Sequence, residues 1–270
     1  MSLTEQQILR YSRQLILEQV GGRGQQRLLS GKVLIIGAGG LGSPAALYLA
    51  AAGIGTIGIA DCDNVDITNL QRQVIHHAED LGRPKVESAA ARIRAINPDV
   101  RVRTYGFRVC AANVMELVRD YDFVIDGTDN FAAKFLINDA CVLANRPFSH
   151  AGILRFEGQL MTILPGRSAC YRCVFRQPPP AGAVPNCAQA GVLGPVAGVI
   201  GCLQAIEAIK FLLGIEGLLT DVILTYNALP VEFRKIPVHQ MADCPVCGKD
   251  PVITAPMDSD QPICDMEGSK

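Results

Sequence analysis

The sequence predicts an α/β protein with a doubly wound, mostly parallel sheet. Along the first half of the chain, apolar strand-like runs alternate with helical segments, which is the pattern of consecutive βαβ units. Parallel strands need such crossovers because the chain must return to the same end of the sheet before each new strand. The predicted strands are 32–36, 55–60, 101–105 and 122–126, and the helices that follow them are 43–52, 84–96, 112–119 and 131–144.

Beyond residue 147 the sequence predicts antiparallel pairing. Two apolar runs flank a turn near 156–158, and residues 165–187 are rich enough in Pro and Gly to form a long loop. The remaining predicted elements are an N-terminal helix over 8–20 that ends at Gly21-Gly22, a helix over 194–213, and strands near 221–226 and 231–236.

Composition excludes several classes of protein. The chain has 270 residues, 49% of them apolar, so it can bury a substantial core. Its net charge of −1 argues against nucleic acid as the main partner. Gly, Pro or Gln interrupt the apolar stretches 41–60 and 191–206, so we interpret both as buried elements and not as membrane spans. The N-terminus has no continuous apolar core of a signal peptide, and we expect a cytoplasmic protein.

A glycine-rich turn follows the first predicted strand. Gly37, Gly39 and Gly42 fit the G-x-G-x-x-G pattern, and Gly40 adds a fourth glycine. Glycine permits a tight turn there and lets backbone N–H groups approach a phosphate at the helix N-terminus. Asp61 ends the next strand, where its carboxylate can accept hydrogen bonds from ribose. These features indicate a Rossmann-like nucleotide site and, taken alone, favour an NAD-dependent oxidoreductase.

The polar residues that follow change the predicted ligand from a dinucleotide to a triphosphate. A dehydrogenase does not need a cluster of cationic and amide side chains beside the ribose. Nucleotidyl transfer does, because charge builds on the triphosphate and on the leaving pyrophosphate, and fixed Arg and Lys side chains stabilise it. A carboxylate at the same edge of the sheet can hold Mg²⁺ together with phosphate oxygens and water. The residues concerned are Asn69, Arg72, Gln73, Lys85 and Asp129.

Four of the ten cysteines form two C-x-x-C pairs, Cys170 with Cys173 and Cys244 with Cys247. Four thiolates satisfy tetrahedral Zn²⁺ in a closed, structural site. A redox-active pair is the alternative, but the thioredoxin-like context that would support it is lacking. We therefore predict a structural zinc site that pins the 165–187 loop to the C-terminal segment. We interpret another four cysteines as small buried hydrophobes: Cys62, Cys110, Cys141 and Cys202.

Taken in order, these motifs resemble the MoeB/ThiF family, the prokaryotic relatives of ubiquitin-activating E1 enzymes. The resemblance extends over residues 8–248. It implies an E1-like adenylyltransferase that binds ATP and Mg²⁺. It also implies a substrate, the C-terminal Gly-Gly carboxylate of a small ubiquitin-like sulfur-carrier protein, which is converted to an acyl-adenylate with release of pyrophosphate. The motifs that carry it are the glycine loop, D-x-D-x-V-x-x-T-N-L-x-R-Q (61–73), G-R-P-K (82–85), D-G-T-D-N (126–130) and both C-x-x-C pairs.

The resemblance also implies roles for the candidate residues. The loop glycines and Gln73 belong to the nucleotide site, and Asp61 is expected to bind ribose. Asp129 is expected to bind Mg²⁺. No general base is required, because a carboxylate is already ionised at neutral pH. Three residues are expected to contact the phosphates: Asn69, Arg72 and Lys85.

Arg13 and Cys187 have two interpretations each. Helical spacing makes Arg13 a surface arginine, whereas its setting in R-Y-S-R-Q-L matches the family arginine that reaches the active site of the partner subunit in a homodimer. Cys187 precedes a predicted helix whose dipole can stabilise a thiolate. In ThiF-like members a cysteine here bonds to the carrier, whereas MoeB-like members do not need one for adenylation, and an ordinary loop cysteine is the plain alternative.

The expected organisation is one adenylation domain over 1–250, followed by a flexible tail over 251–270. Little chain remains after the second C-x-x-C pair, so we expect the sulfur donor to be a separate protein. The pathway stays open between molybdopterin, thiamine and another sulfur-transfer route. A scaffold that holds a carrier without activating it is disfavoured, because every expected polar position is filled. Within the domain we expect N-terminal helices (1–30), a nucleotide-binding half (31–146) and a carrier-binding half with the zinc site (147–250).

Overall fold

The computed structural model describes residues 3–180 and 190–259. Its strands form one sheet of eight, in the order β3-β2-β1-β4-β5-β6-β7-β8. The strands are β1 (Lys32–Ile36), β2 (Thr56–Ala60), β3 (Arg101–Tyr105), β4 (Phe123–Asp126), β5 (Phe148–Leu154), β6 (Glu157–Ile163), β7 (Val222–Asn227) and β8 (Glu232–Pro237).

Helices cover both faces of this sheet, with short 3₁₀ turns at Ile67–Asn69 and Ala78–Asp80. The N-terminal helices are α1 (Glu5–Arg10), α2 (Ser12–Leu15) and α3 (Gly21–Ser30). The others are α4 (Gly42–Ala52), α5 (Lys85–Ile96), α6 (Val114–Arg119), α7 (Phe131–Leu143), α8 (Tyr171–Val174) and α9 (Gly194–Leu213).

The sheet confirms the predicted fold class. Pairing is parallel from β3 through β2, β1 and β4 to β5. It is antiparallel from β5 through β6 and β7 to β8. The strand order reverses its direction between β1 and β4, and in open α/β sheets ligands bind beyond the carboxyl ends of the strands at such a switch point.

Strand β1 shows why the strands in the parallel half of the sheet have continuous apolar sequences. Leu34 and Ile36 pack with residues of α6 and α7 on one face of the sheet. Val33 and Ile35 pack with α4, α5 and α9 on the other face. A strand buried on both faces has no polar alternation, so its sequence is apolar throughout.

Within the described ranges, α9 has the length and composition of a membrane-spanning helix. Half of its most apolar window is buried inside the protein. The buried residues include Gln204 and Glu207, both of which are hydrogen-bonded within the protein. The helix packs against α4 and the centre of the sheet, and we therefore assign it to the core.

The N-terminal segment differs from its prediction. Residues 8–20 do not form one helix, and Gly21 begins α3 instead of ending a helix. The chain turns at Tyr11, whose buried ring lies against Gly53 and whose hydroxyl accepts a hydrogen bond from Asn97 Nδ2 at 2.8 Å. Gly21 has a φ of +52°, which glycine adopts without strain. The tertiary contacts of Tyr11 thus override the helical spacing.

In two other segments, the loop and the C-terminal tail, the structure shows more order than the sequence predicted. The loop predicted over 165–187 contains the short helix α8, and residues 181–189 lie outside the described ranges. The first residues of the predicted tail pack against the cysteine-bearing half of the domain. Ile253 is buried and donates its N–H to the Pro245 carbonyl at 2.9 Å. The domain boundary at residue 250 stays a prediction.

Candidate functional site

The glycine loop joins β1 to α4 at the carboxyl edge of the sheet. Gly37 has a φ of +99°, and a Cβ there would lie 2.7 Å from the Gly127 carbonyl oxygen. A Cβ on Gly42 would lie 1.9 Å from the Gly37 carbonyl oxygen. Only glycine fits these two positions, because the backbone carbonyls of Gly127 and Gly37 occupy the space. Sterics therefore support the glycine pattern that the sequence showed.

Asp61 is fixed beside this loop by its own hydrogen bonds. Its Oδ2 accepts the Ala38 N–H at 2.7 Å, and its Oδ1 accepts the Asp63 N–H at 2.9 Å. Burial raises the pKa of the Asp61 carboxyl above its ordinary value, while the nearby Lys85 ammonium opposes that shift. The Asp61 carboxylate thus lies against the glycine loop, and its role as a ribose acceptor stays a prediction.

Lys85 begins α5 and faces the same edge of the sheet. Its side chain is only 7% exposed, and its Nζ lies 2.7 Å from Oδ2 of Asp63. The backbones of these two residues also pair, since the Lys85 N–H donates to the Asp63 carbonyl at 2.9 Å. Sequence reasoning missed Asp63. Its D-x-D spacing with Asp61 was the available signal, because residues two apart on extended chain share one face.

The turn after the first 3₁₀ helix brings Arg72 and Gln73 against the loop. The Cδ of Arg72 would lie 3.6 Å from a Cβ on Gly40, and Nε2 of Gln73 would lie 3.7 Å from a Cβ on Gly39. Gln73 is 4% exposed, and within the described part of the chain its Oε1 has no hydrogen-bond partner. Both side chains therefore reach the glycine loop, and their roles in nucleotide binding stay predictions.

Asn69 makes a local contact in the structure, and its predicted contact with phosphate stays a prediction. Its side-chain oxygen accepts the Asp66 N–H at 3.2 Å, while Asp66 caps the same 3₁₀ turn through Thr68. These bonds hold the segment that carries Arg72 and Gln73.

The D-G-T-D-N run forms the next loop along the same edge, between β4 and α7. Asp129 lies exposed at its tip. Asn130 caps α7 by accepting the Ala133 N–H at 2.9 Å. Asp126 holds the base of the loop, because its Oδ1 accepts both the N–H (3.0 Å) and the hydroxyl (2.6 Å) of Thr128.

Asp126 is the centre of a buried charge cluster that the sequence did not reveal. Its Oδ2 lies 3.2 Å from Nζ of Lys134 and 2.9 Å from Nδ1 of His150. Burial raises the pKa of the Asp126 carboxyl, but Lys134, His150 and Thr128 outweigh this and hold it well below its ordinary range. The pKa of His150 is lowered, mainly by burial and by Lys134. The cluster fixes an anion beneath the loop that carries Asp129.

Arg13 lies on α2, away from the glycine loop of its own chain. Tyr11 and Gln14 contact Gly53 and Ala52 at the C-terminal end of α4. Helix α4 has 11 residues, which at 1.5 Å per residue separates its two ends by about 16 Å. The glycine loop precedes the opposite end, so an exposed Arg13 is not brought into the site of its own subunit.

Four cysteine sulfur atoms form a separate cluster, with Cys170 and Cys173 facing Cys244 and Cys247. The sulfur atoms all lie within 4.8 Å of one another. Individual Sγ–Sγ distances are 3.8 Å (170–173), 3.6 Å (170–244), 3.4 Å (173–247) and 3.4 Å (170–247). A tetrahedral ion with metal–sulfur bonds of about 2.3 Å needs sulfur atoms about 3.8 Å apart. The cluster can therefore hold a metal ion such as zinc.

The other cysteines differ from one another. Cys141 is buried as expected, whereas Cys62 is exposed and Cys110 and Cys202 are partly exposed. The prediction of a buried hydrophobe is wrong for Cys62, because the chain leaves the sheet at Asp61. Cys187 lies outside the described residues.

Comparison with known proteins agrees with this fold. The model of the ThiF family matches residues 11–246. The chain belongs to the ThiF family. The resemblance that the sequence motifs carried is thereby confirmed.

Two relatives match over nearly their whole length. A sulfur carrier protein adenylyltransferase of Thermus thermophilus is 46% identical, with 93% of this chain and 94% of the relative covered. A SAMP-activating enzyme E1 of Haloferax volcanii is 47% identical, with 92% of each chain covered. These relatives confirm the predicted class of enzyme, an E1-like adenylyltransferase.

Two other matches are longer than this chain. The adenylyltransferase and sulfurtransferase MOCS3 of Sus scrofa is 48% identical over 94% of this chain, which spans 56% of that relative. Among solved structures, E. coli MccB with ATP superposes with a TM-score of 0.78 at 26% identity, covering 88% of this chain and 74% of MccB.

Proposed function

We propose that this ThiF-family enzyme adenylates the C-terminal Gly-Gly carboxylate of a small ubiquitin-like sulfur-carrier protein with ATP and Mg²⁺. The observation that carries the proposal is the meeting of the glycine loop, Asp61, Arg72 and Lys85 at the switch point of the sheet, next to the loop that carries Asp129. Relatives at 46% and 47% identity named for a sulfur carrier protein and for SAMP supply the substrate class.

The proposed reaction needs no general base. The carrier carboxylate is ionised at neutral pH and attacks the α-phosphorus of ATP, which forms a new P–O bond. The bond from the α-phosphorus to the bridging oxygen breaks, and pyrophosphate leaves with the electron pair. Lys85 would exchange Asp63 for a phosphate oxygen, and Arg72 would move from the Thr68 carbonyl, which it now contacts at 3.0 Å. Catalysis then rests on position and fixed positive charge.

Two metal ions have distinct proposed roles. Mg²⁺ would neutralise phosphate charge, and Asp129 is suited to hold it because its carboxylate is exposed at the tip of the loop above Asp126. Zn²⁺ suits the four-cysteine cluster, because an all-sulfur, closed donor set is typical of structural zinc sites. It would tie the segment at Cys170 to the segment at Cys244.

The proposal includes a homodimer in which Arg13 of one subunit serves the site of the other. Its support is the position of Arg13 near the far end of α4 of its own chain, which leaves it free for a neighbouring molecule. A separate sulfur-donor protein, a cytoplasmic location and the domain limits 1–250 belong to the same proposal. Whether Cys187 bonds to the carrier, and whether the pathway is molybdopterin, thiamine or another route, are parts that biochemical assays decide.

ATP–pyrophosphate exchange tests the proposed function. Exchange stimulated by a Gly-Gly carrier and abolished by Lys85→Ala or Asp129→Ala, with bound metal unchanged at the cysteine cluster, supports it. Lys32→Ala and Asp120→Ala are the matched controls. Lys32 is exposed at the amino end of β1, opposite the glycine loop, and Asp120 is 64% exposed at the end of α6. Absence of exchange with every carrier tried, together with NAD reduction, would replace the proposal with an oxidoreductase.

A further inference from the structure

A buried histidine lies directly beneath the glycine loop. His76 is 4% exposed. Its Nε2 is 2.9 Å from the Ala38 carbonyl oxygen, and its Nδ1 is 2.8 Å from Oγ of Ser88. A carbonyl oxygen can only accept a hydrogen bond, so Nε2 carries the proton that Ala38 receives. The histidine therefore holds one peptide group of the loop in a defined direction.

The direction of that peptide determines where the next N–H points. In a planar trans peptide the C=O of Ala38 and the N–H of Gly39 point in opposite directions. With the Ala38 oxygen turned inward to His76, the Gly39 N–H is turned away from the core. In the part of the chain that the structure describes, this N–H has no hydrogen-bond partner. It is thus a free donor just ahead of α4, where phosphate groups bind in loops of this kind.

The other side of Ala38 is also held. Its own N–H donates to Asp61 at 2.7 Å, as described above. Ala38 is therefore hydrogen-bonded at both its N–H and its C=O, by two side chains from different segments. Removing the His76 contact would release the Ala38–Gly39 peptide while leaving the Asp61 contact in place.

The support behind His76 leads to the helix that carries Lys85. Oγ of Ser88 lies 2.9 Å from Oδ2 of Asp80, and the same carboxylate oxygen accepts a hydrogen bond from Nη2 of Arg92 at 3.0 Å. Ser88 and Lys85 lie three residues apart on α5, on neighbouring turns of one helix face. The chain of contacts from Ala38 through His76 to Ser88 therefore connects the peptide that carries the free N–H with the helix that carries Lys85.

We infer that His76 is a positioning residue for nucleotide binding: it aims the Gly39 N–H at a phosphate oxygen and sets the distance between that donor and Lys85. This role rests on the proposed use of ATP and goes beyond it, since His76 itself touches no substrate. A residue of purely structural importance would instead support the fold without favouring one substrate over the other.

The test compares His76→Leu with His76→Gln in the full-length protein. Leucine removes the donor, whereas the amide nitrogen of glutamine can replace Nε2. His77→Leu is the matched control, because its side chain is 54% exposed and lies one residue away. Two quantities are measured: the Kd of a fluorescent ATP analogue, without carrier, and the separate KM values for ATP and carrier in pyrophosphate exchange. Thermal unfolding and metal content report on the fold.

We expect His76→Leu to raise the Kd and the KM for ATP at least about tenfold, or about 1.4 kcal/mol. The KM for carrier should stay within about twofold, and His76→Gln should recover most of the ATP affinity. An unchanged Kd for ATP in the leucine variant would overturn the inference. So would a loss of kcat in proportion to unfolded protein with both KM values unchanged. Because nucleotide binding is measured without carrier, failure of the adenylation proposal remains distinguishable from failure of this one.

Discussion

The buried cluster at the base of the D-G-T-D-N loop gives a prediction whose size follows from its geometry. Lys134→Met removes the ammonium that lies 3.2 Å from Oδ2 of Asp126 and donates to the Ala151 carbonyl at 2.5 Å. Methionine has nearly the same length, so the change removes charge more than volume. Asp126 is fully buried. Removing one partner of a buried ion pair typically costs about 3–5 kcal/mol, because the remaining charge is not solvated.

This loss should appear as a large drop in thermal stability. For a domain of this size, each kcal/mol shifts Tm by roughly 2–4 °C, so the variant should melt roughly 6–20 °C below the wild type. Lys134→Arg retains the positive charge and should lose less than about half as much. Lys32→Met, at an exposed position, should stay within about 0.5 kcal/mol. The measurements are thermal melts and urea-induced unfolding of all four proteins.

The same variant should change how stability depends on pH. In the wild type the pKa of Asp126 lies below its ordinary value, so this carboxylate contributes stability above that value and loses it as pH falls through the folded pKa. Without Lys134, burial raises the pKa of Asp126, while His150 loses a positive neighbour that lowered its own pKa. Both groups then bind protons more easily, so the variant should be less destabilised at about pH 5 than at about pH 7.5. A loss below about 1 kcal/mol, or an equal loss at both pH values, would refute this reasoning.

Two further predictions concern the glycine loop and the cysteines. Gly37→Ala should abolish ATP binding, because φ is +99° and the new Cβ would meet the Gly127 oxygen at 2.7 Å; Gly166→Ala, with φ of +72° and no atom within 4 Å, should cost about 1 kcal/mol and leave exchange intact. Equal effects of both on ATP affinity would contradict the steric argument. Cys247→Ser should deplete bound metal and lower Tm, whereas Cys202→Ser, on α9 outside the cluster, should do neither; metal analysis and melting curves decide, and full metal content in Cys247→Ser would exclude the four-cysteine site.

Much of the fold was predictable because local pattern and tertiary structure agree in the sheet. The predicted strands over 32–36 and 101–105 and the helix over 194–213 have the same limits in the structure, and the other elements with stated limits beyond residue 30 differ by one or two residues. The prediction of one helix over 8–20 was wrong for a physical reason. Its helical spacing is real, but Tyr11 gains a buried site against Gly53 and a hydrogen bond to Asn97, residues more than forty positions away. No local pattern reports such a contact.

The same contrast between local sequence pattern and tertiary contact applies to the candidate site. The motifs place Asp61, Arg72 and Lys85 near one another, because all three lie in the connection that follows the carboxyl end of β2 and leads into α5. The sequence did not predict the residues that support the site. Lys134 and His150 meet Asp126 from a helix and a neighbouring strand, across 8 and 24 residues of sequence. Lys, His and Asp are common residues, and the spacing of these three matches no known motif. Only the folded structure therefore shows that they form one cluster.

The contacts of Ala38 bear on the proposed mechanism, which needs no general base. Catalysis by position requires donors and charges that are already aimed before the substrate arrives, since reorientation during the reaction would consume the advantage. The glycine loop lacks side chains that could fix it from within. Asp61 and His76 supply that fixation from outside, and the Gly127 backbone limits the space on the remaining side. The flexibility that lets glycine approach a phosphate is therefore offset by neighbours, and changes to these neighbours should weaken ATP binding before they affect the carrier.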